Sequence, residues 1–487
     1  MDQVQLQAEN RNLPAPTTHW RDVARLFPSF SLQQVLQALT GFLIVRLLLP
    51  EQYGAWSLFA LVLFYAMQLH LGTINLMHQE VPFFVGKKEY ERAQQVANIA
   101  LSTSLTNCVI AALLVVGIGL IWHPRAPITF FQILLLGLLI VFQELFTYVN
   151  YWLRAYQRFG SLSVFLTSFA CANLPVVAFL AWWKQLTGVL LGYLLTNAIV
   201  TFYFIGRESV PLCLRPRWPE SWTKVKQAAQ LLLWTMMFIF LTTLDRVFIS
   251  DRLGILSLGF FGISLLISNL LYNSADVVLQ VLFPKANALI GNTGDSQEVG
   301  NLLLSSAETL SYILSAALGL GFLLLPVVVP FLLPRYEAGI AAARIVCLGL
   351  VWLVLGQLIS VAYIVLGRVQ LCLLLQFGVL AVKAAMLLAV RQPQLTTVAV
   401  ISSAANLLYL VVMVAGTPVP GWRPLKAIFR LAIPWLLVGA VLWITEAVLP
   451  ETFRVSARSL LTSLLFLLVT VPVLWFIHER ARRPAHV

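Results

Sequence analysis

Four polar residues of one apolar stretch, Asn269, Asn273, Asp276 and Gln280, step along the chain by four, three and four. On a helix that spacing puts all four on one face. Amides and a carboxyl in one row can hold a hydrated, hydrogen-bonding cargo, whereas the same row turned to lipid would be costly. Two readings fit: the lining of an aqueous cavity, or hydrogen bonds to a neighbouring helix. The first apolar stretch carries Gln33 and Gln37, four apart on one face, with Gln34 between them, and the next carries Gln68, His70 and Asn75. Arg46 and Arg246 each lie near the end of an apolar stretch, where a guanidinium can attract an anion or reach outward to the interface. Asp245 precedes Arg246 and is placed to neutralise it. Glu144 and Glu308 are lone acids within apolar runs, each suited either to a proton-linked carboxylate or to pairing with a nearby cation or amide. Asp276 is the third candidate for coupling an ion. Lys383 lies deep in a later apolar run, and the sequence names no partner for it.

Other chemistry finds no support. There is no GxSxG, no glycine-rich phosphate loop and no acidic pair at metal-binding spacing. Cys108, Cys171, Cys347 and Cys372 fall in apolar runs and Cys213 in a polar loop, so the five cysteines make neither a disulfide framework nor a metal site. Neither a metal nor a cofactor is implied, enzymatic activity is not expected, and the missing phosphate loop argues against an ATP-driven pump.

The elements that must position these residues are membrane spans. The chain has 487 residues, 60% hydrophobic and only 11% charged, against about 25% charged in a soluble domain. Its mean hydropathy is +0.86. The net charge of +12 does not point to nucleic acid, because the positives are spread over short loops. No cleavable signal peptide is evident, so the first span is expected to act as an uncleaved anchor. His19 to Phe27 reads as an amphipathic interfacial helix within a cytoplasmic N-terminal segment, 1–29.

Stretches near the ~20 residues that cross a bilayer run Phe30–Leu49, Ala55–Leu76, Val96–Trp122, Ile128–Asn150, Ser161–Trp182 and Leu186–Ile205, making a lobe over 30–205. A basic linker, 206–227, leads to a second lobe, 228–415, with Ala228–Ser250, Leu258–Pro284, Leu302–Pro330, Ala338–Gly367, Val369–Val390 and Leu395–Val414. Ala427–Leu449 and Ser459–His478 add a pair within 416–478, and 479–487 is a basic tail. The expected fold is an all-α polytopic membrane protein of about 14 helices: two pseudo-symmetric six-helix lobes and a C-terminal pair. Lys and Arg concentrate in the loops that share a side with the termini, which predicts both termini in the cytoplasm. No loop exceeds roughly 20 residues, too short for a folded domain outside the membrane.

The two halves also share a hairpin. Gly41 to Leu63 holds two apolar arms joined at the elbow PEQYG. Arg246 to Leu265 matches it at a shift of 200, pairing Gly54 with Gly254, Ser57 with Ser257 and Leu58 with Leu258. LLLPEQYGAWSLFALV resembles the elbow after the first span of polysaccharide-type flippases, LGPxxYG and then small and apolar residues. LDRVFISDRLGILSLGFFGIS is similar to their seventh-span signature, VLFPKANAL to their Phe-Pro segment after span 8, and LRAYQRFG and VLGRVQ to their cytoplasmic turns after spans 4 and 10. The chain departs at Pro50, where Gly-Pro is usual, and at Ser250-Asp251-Arg252. The resemblance covers most of the chain, best at 40–160 and 240–370, and its family is the multidrug/oligosaccharidyl-lipid/polysaccharide exporter superfamily.

That resemblance implies two lobes around a central cavity and alternating access. It implies a flippase of a bacterial inner membrane carrying a lipid-linked, undecaprenyl-diphosphate oligosaccharide, with the bilayer, a polysaccharide polymerase and chain-length machinery as partners. The anionic head would meet Arg46, Arg246, Gln33, Gln37, His70, Asn269, Asn273, Asp276 and Gln280, and Glu144, Asp276 or Glu308 would couple an ion. The rivals are a multidrug exporter, a lipid II exporter, and a membrane-embedded polysaccharide polymerase or ligase; the last needs a large outer loop that this chain lacks. Arg46→Ala or Asp276→Ala is expected to abolish surface glycan in cells while the protein still inserts; normal glycan in both would remove these residues from the mechanism.

Overall fold

A computed structural model describes residues 19–122, 128–212, 214, 218–419 and 423–448. Residues 1–18, the second helix of the C-terminal pair and the basic tail lie outside the described residues, as do the side chains of Asn273, Asp276 and Gln280, whose backbone is helical. No strand occurs among the described residues. The helices are α1 (His19–Leu47), α2 (Pro50–Met67), α3 (Thr73–Gly86), α4 (Tyr90–Trp122), α5 (Phe130–Ala155), α6 (Phe159–Arg207), α7 (Trp218–Arg252), α8 (Gly254–Phe260), α9 (Gly262–Thr293), α10 (Ser296–Leu332), α11 (Ile340–Val365), α12 (Val369–Ala389), α13 (Leu395–Ala415) and α14 (Pro424–Val448). Eight of them are long and apolar enough to cross a membrane.

Helices dominate because a segment in hydrocarbon must satisfy its own backbone. Where the helices break, specific groups replace the lost bonds. The amphipathic stretch and the first span expected apart form one helix, α1, which runs through Pro28 without a break. The expected second span does break, at a 3-10 turn, Gln68–His70, followed by Leu71 (φ 51°) and Gly72 (φ 77°). There Gly72 N donates to His70 Nδ1 at 2.9 Å, Thr73 Oγ1 donates to the His70 carbonyl at 2.7 Å, and Asn107 Nδ2 donates to the Leu69 carbonyl at 2.9 Å. α7 begins at Trp218, within the expected linker, and its apolar part runs Leu232–Arg252.

α6 is 49 residues long but folds back on itself. Gln185 has φ 52°, ψ −127°, and the two arms pack so closely that a Cβ on Gly188 would lie 1.7 Å from the Leu180 carbonyl oxygen, and one on Gly192 2.8 Å from Val177 Cα. These are the fifth and sixth expected spans.

The N-lobe packs α1 on α6 and gathers α3, α4, α5 and α6 around Ile74, Met77, Phe146, Tyr148 and Phe165. The C-lobe is built around α11, which is buried nearly all round from Ala342 to Tyr363; such a helix is an inner one. α13 lies on it through Gly349 and Gly356, which meet Ser403 and Tyr409. α14 docks outside on α10, where Ser311 Oγ donates to the Leu431 carbonyl at 2.8 Å.

The lobes meet at the duplicated elbows. Pro50 opens α2 at its first turn, where its missing N–H costs nothing. A Cβ on Gly54 would lie 2.0 Å from the Ile255 carbonyl oxygen, and one on Gly259 1.7 Å from that of Pro50. Tyr336 Oη donates to the Leu48 carbonyl at 3.2 Å, and its ring stands edge-on to Tyr53, 6.1 Å between centroids. Gly254, at φ 84°, does a different job: it turns the chain from α7 into α8. Ser57 and Ser257 do match in role, each donating 2.9 Å to the carbonyl four residues back.

Bulk at this contact must push the lobes apart. In a background carrying Cys171→Ser and Cys213→Ser, a cysteine replacing the fully buried Leu48 is expected to resist a membrane-impermeant maleimide, and to react once Gly259→Val is added. Equal reactivity with and without that substitution would show that the elbows do not seal this face.

Candidate functional site

Below the elbows, α1 faces α9 across the lobe boundary. A Cβ on Gly41 would lie 3.5 Å from Leu266 Cδ2. Gln37 is one turn before Gly41 and Gln33 two turns before, on the same side of α1; both are half-buried. Gln34 Oε1 is buried with no hydrogen-bond partner among the described residues, the kind of acceptor that a cleft water satisfies. Asn269 is one turn on from Leu266 and exposed. The structure therefore brings the α1 glutamines and the start of the α9 row to one boundary. Asn273, Asp276 and Gln280 continue that row in sequence, and their side chains are not described.

α7 and α2 form the neighbouring wall. Tyr65 and Thr243 share a 2.5 Å hydrogen bond from lobe to lobe, and the Tyr65 ring lies 5.4 Å from Phe240. Arg246, half-buried, is within electrostatic reach of the Tyr53 and Tyr65 hydroxyls, so its charge is felt at the boundary. Arg46 is not brought there. It is exposed, about 140° around α1 from Gly41 at 100° per residue, flanked by the buried Ile44, Val45 and Leu48.

The remaining expected residues lie elsewhere. His70 caps the break after α2. Glu144 is 1% exposed inside the N-lobe. Its polar neighbours Ser104 and Cys108 spend their own hydrogens on the carbonyls of Leu101 and Ala66. Glu308 pairs with Arg430 of α14 at 3.4 Å, which ties the added helix to α10.

Lys383 is the residue the sequence left without a partner. Its ammonium donates to the Leu241 carbonyl at 2.7 Å and to Asp245 Oδ2 at 2.9 Å, with Oδ1 at 2.8 Å. Asp245 thus serves Lys383. Breaking such a buried pair from one side costs about 3–5 kcal/mol, because it strands the other charge. The signal was present in the composition, since a lysine deep in a span needs a buried acid. Four acids in apolar runs competed for it, and chain order does not choose among them. Beside the pair lies a cavity with about 30 Å³ open to the centres of water molecules, lined by α7, α9, α11, α12 and α13. That is room for about two waters, far too little for a sugar. No group of three or more metal-ligating side chains occurs among the described residues.

No family model matches the chain, and no curated protein does. Solved structures do. The lipid II flippase MurJ in an inward closed conformation is 12% identical, with a TM-score of 0.69 over 94% of this chain and 99% of that one. An inward-facing multidrug resistance MATE family transporter of the MOP superfamily is 15% identical, TM-score 0.61, over 82% and 95%. The chain has the fold of MOP-superfamily transporters. The resemblance read from the elbows and turns agrees with it. An outward-facing MATE transporter has a TM-score of 0.55 at 15% identity over 85% and 96%. These neighbours are transporters and flippases, and the chain is a multi-pass membrane protein of their architecture.

Proposed function

We propose that the protein flips a lipid-linked oligosaccharide, an undecaprenyl-diphosphate sugar unit, across a bacterial inner membrane by alternating access. In this reading the chain crosses fourteen times, both termini are cytoplasmic, and the elbows close the outer face. The head group enters between the α1 and α9 rows while its polyprenyl tail stays in lipid. The glutamines and asparagines replace the sugar's hydration, and Arg246 attracts the diphosphate. One observation carries the reading: half-buried glutamines of α1 and an exposed asparagine of α9 flank one lobe boundary, with a guanidinium on the neighbouring wall. The MurJ likeness supports it, since that flippase matches 94% of this chain, against 82–86% for the multidrug transporters. It also makes lipid II, another lipid-linked head group, the alternative cargo.

Among the acids, Glu144 is the leading candidate for coupling an ion, because no cation pairs with it among the described residues. Glu308 already has Arg430. A polysaccharide polymerase and chain-length machinery are the expected recipients of the flipped unit. A multidrug exporter is the second reading, favoured by the MATE likeness.

The test is flipping in proteoliposomes that carry a fluorescent undecaprenyl-diphosphate oligosaccharide, read with an impermeant quencher. The protein is expected to expose inner-leaflet probe to the quencher. Arg246→Ala is expected to slow this roughly tenfold or more, the effect of losing about 1.5–3 kcal/mol from a charge-assisted hydrogen bond. Glu308→Gln is expected to flip at the parent rate. Uptake of organic cations with no flipping of the glycolipid would replace this reading with drug export.

A further inference from the structure

Lys383 and Asp245 pair inside the C-lobe, and the cavity beside them is also lined by Arg246 of the boundary wall. The two paired residues are 1% and 7% exposed. Three oxygens surround the ammonium within 2.9 Å: the Leu241 carbonyl and both Asp245 carboxylate oxygens. All three belong to one turn of α7, while the lysine stem comes from α12. One helix therefore supplies an oxygen cage with one negative charge, and another helix supplies the cation that fills it. The adjoining cavity adds Thr242, Arg246, Ser268, Ser402, Ser403 and Asn406 to the lining, so the surroundings are polar well beyond what an ion pair alone requires. A carboxylate and a carbonyl converging on one point are the donors that hard monovalent cations take. Here the occupant is bonded to the chain and cannot leave.

We propose that this cage is a monovalent-cation site whose resident cation is the chain's own Lys383, so that the C-lobe joins α7 to α12 with no dissolved cation. Emptied of its lysine, the cage accepts a small primary ammonium ion. Methylammonium carries the same three N–H donors on a one-carbon stub and fits the volume that truncation leaves. Tetramethylammonium has the charge but no donor. The claim concerns the stability of the lobe and is independent of which cargo crosses.

The experiment is thermal unfolding of the purified full chain in detergent at constant ionic strength. Lys383→Ala is expected to lower Tm on the order of 5–10 °C. An excess of methylammonium chloride is expected to restore at least half of that loss, and tetramethylammonium chloride none. Lys383→Met with Asp245→Asn, which removes both charges, is expected to melt near the parent and to ignore methylammonium. The parent is expected to melt alike in sodium and choline chloride. If Lys383→Ala folds only when prepared in methylammonium, the proposal stands. If it folds in neither medium, or melts with the parent, or responds equally to every ammonium salt, the proposal fails. A parent selectively stabilised by sodium would also overturn it, because the cage would then be taking a dissolved ion.

Discussion

The contact between the two duplicated elbows holds the rest of the structure in place. Pro50 and Gly54 from one half and Ile255 and Gly259 from the other approach backbone to backbone, at distances that leave no room for a Cβ. A contact of that kind is all or nothing. It has no flexible side chain to yield by degrees, so the lobes either close to this distance or part, which is the behaviour expected of a bistable interface. Tyr336 and Tyr53 close the same face from the side. Everything below the elbows, from the α1 glutamines to Asn269 and Arg246, is positioned by that closure.

Each lobe must be rigid enough to move as a body, and they reach this differently. The C-lobe wraps α11 on all sides and crosses α7 to α12 with a buried ion pair. The N-lobe relies on aromatic packing, with Phe146 against Phe165 and Phe169, and on side chains that satisfy the broken backbone after α2. Between the lobes, Tyr65 bonds Thr243 and Tyr336 bonds the Leu48 carbonyl, each a single neutral hydrogen bond. A net worth of about 0.5–1.5 kcal/mol each is small enough for a cargo to outweigh. Strong bonds within lobes and weaker ones between them favour rocking over unfolding.

Much of this was legible in the chain. Apolar runs of bilayer length separated by charged turns gave the spans, and the break between Trp182 and Leu186 was visible because Lys184 and Gln185 interrupt a continuous apolar stretch. The elbow repeat was visible as letters, and Ser57 and Ser257 keep the same role. The glycines do not: Gly254 aligns with Gly54, yet Gly259 makes the matching close approach. Sequence spacing records duplication, whereas close contact is a relation between halves that drift separately. Arg46 and Arg246 separated for a similar reason, since equal distance from an elbow does not give equal rotation about a helix axis. The partner of Lys383 was hidden because 138 residues separate it from Asp245, and only packing chooses among the acids.

The central claim is that the elbow face opens and closes around a cargo carried between the lobes. Glu51 and Leu256 are exposed, one on each elbow, and spin labels on cysteines at these positions, in a chain carrying Cys171→Ser and Cys213→Ser, report their separation directly. With the protein in nanodiscs, a single short distance is expected without cargo, and a second, longer population when lipid-linked oligosaccharide is added. One unchanging short distance in both conditions would contradict the account.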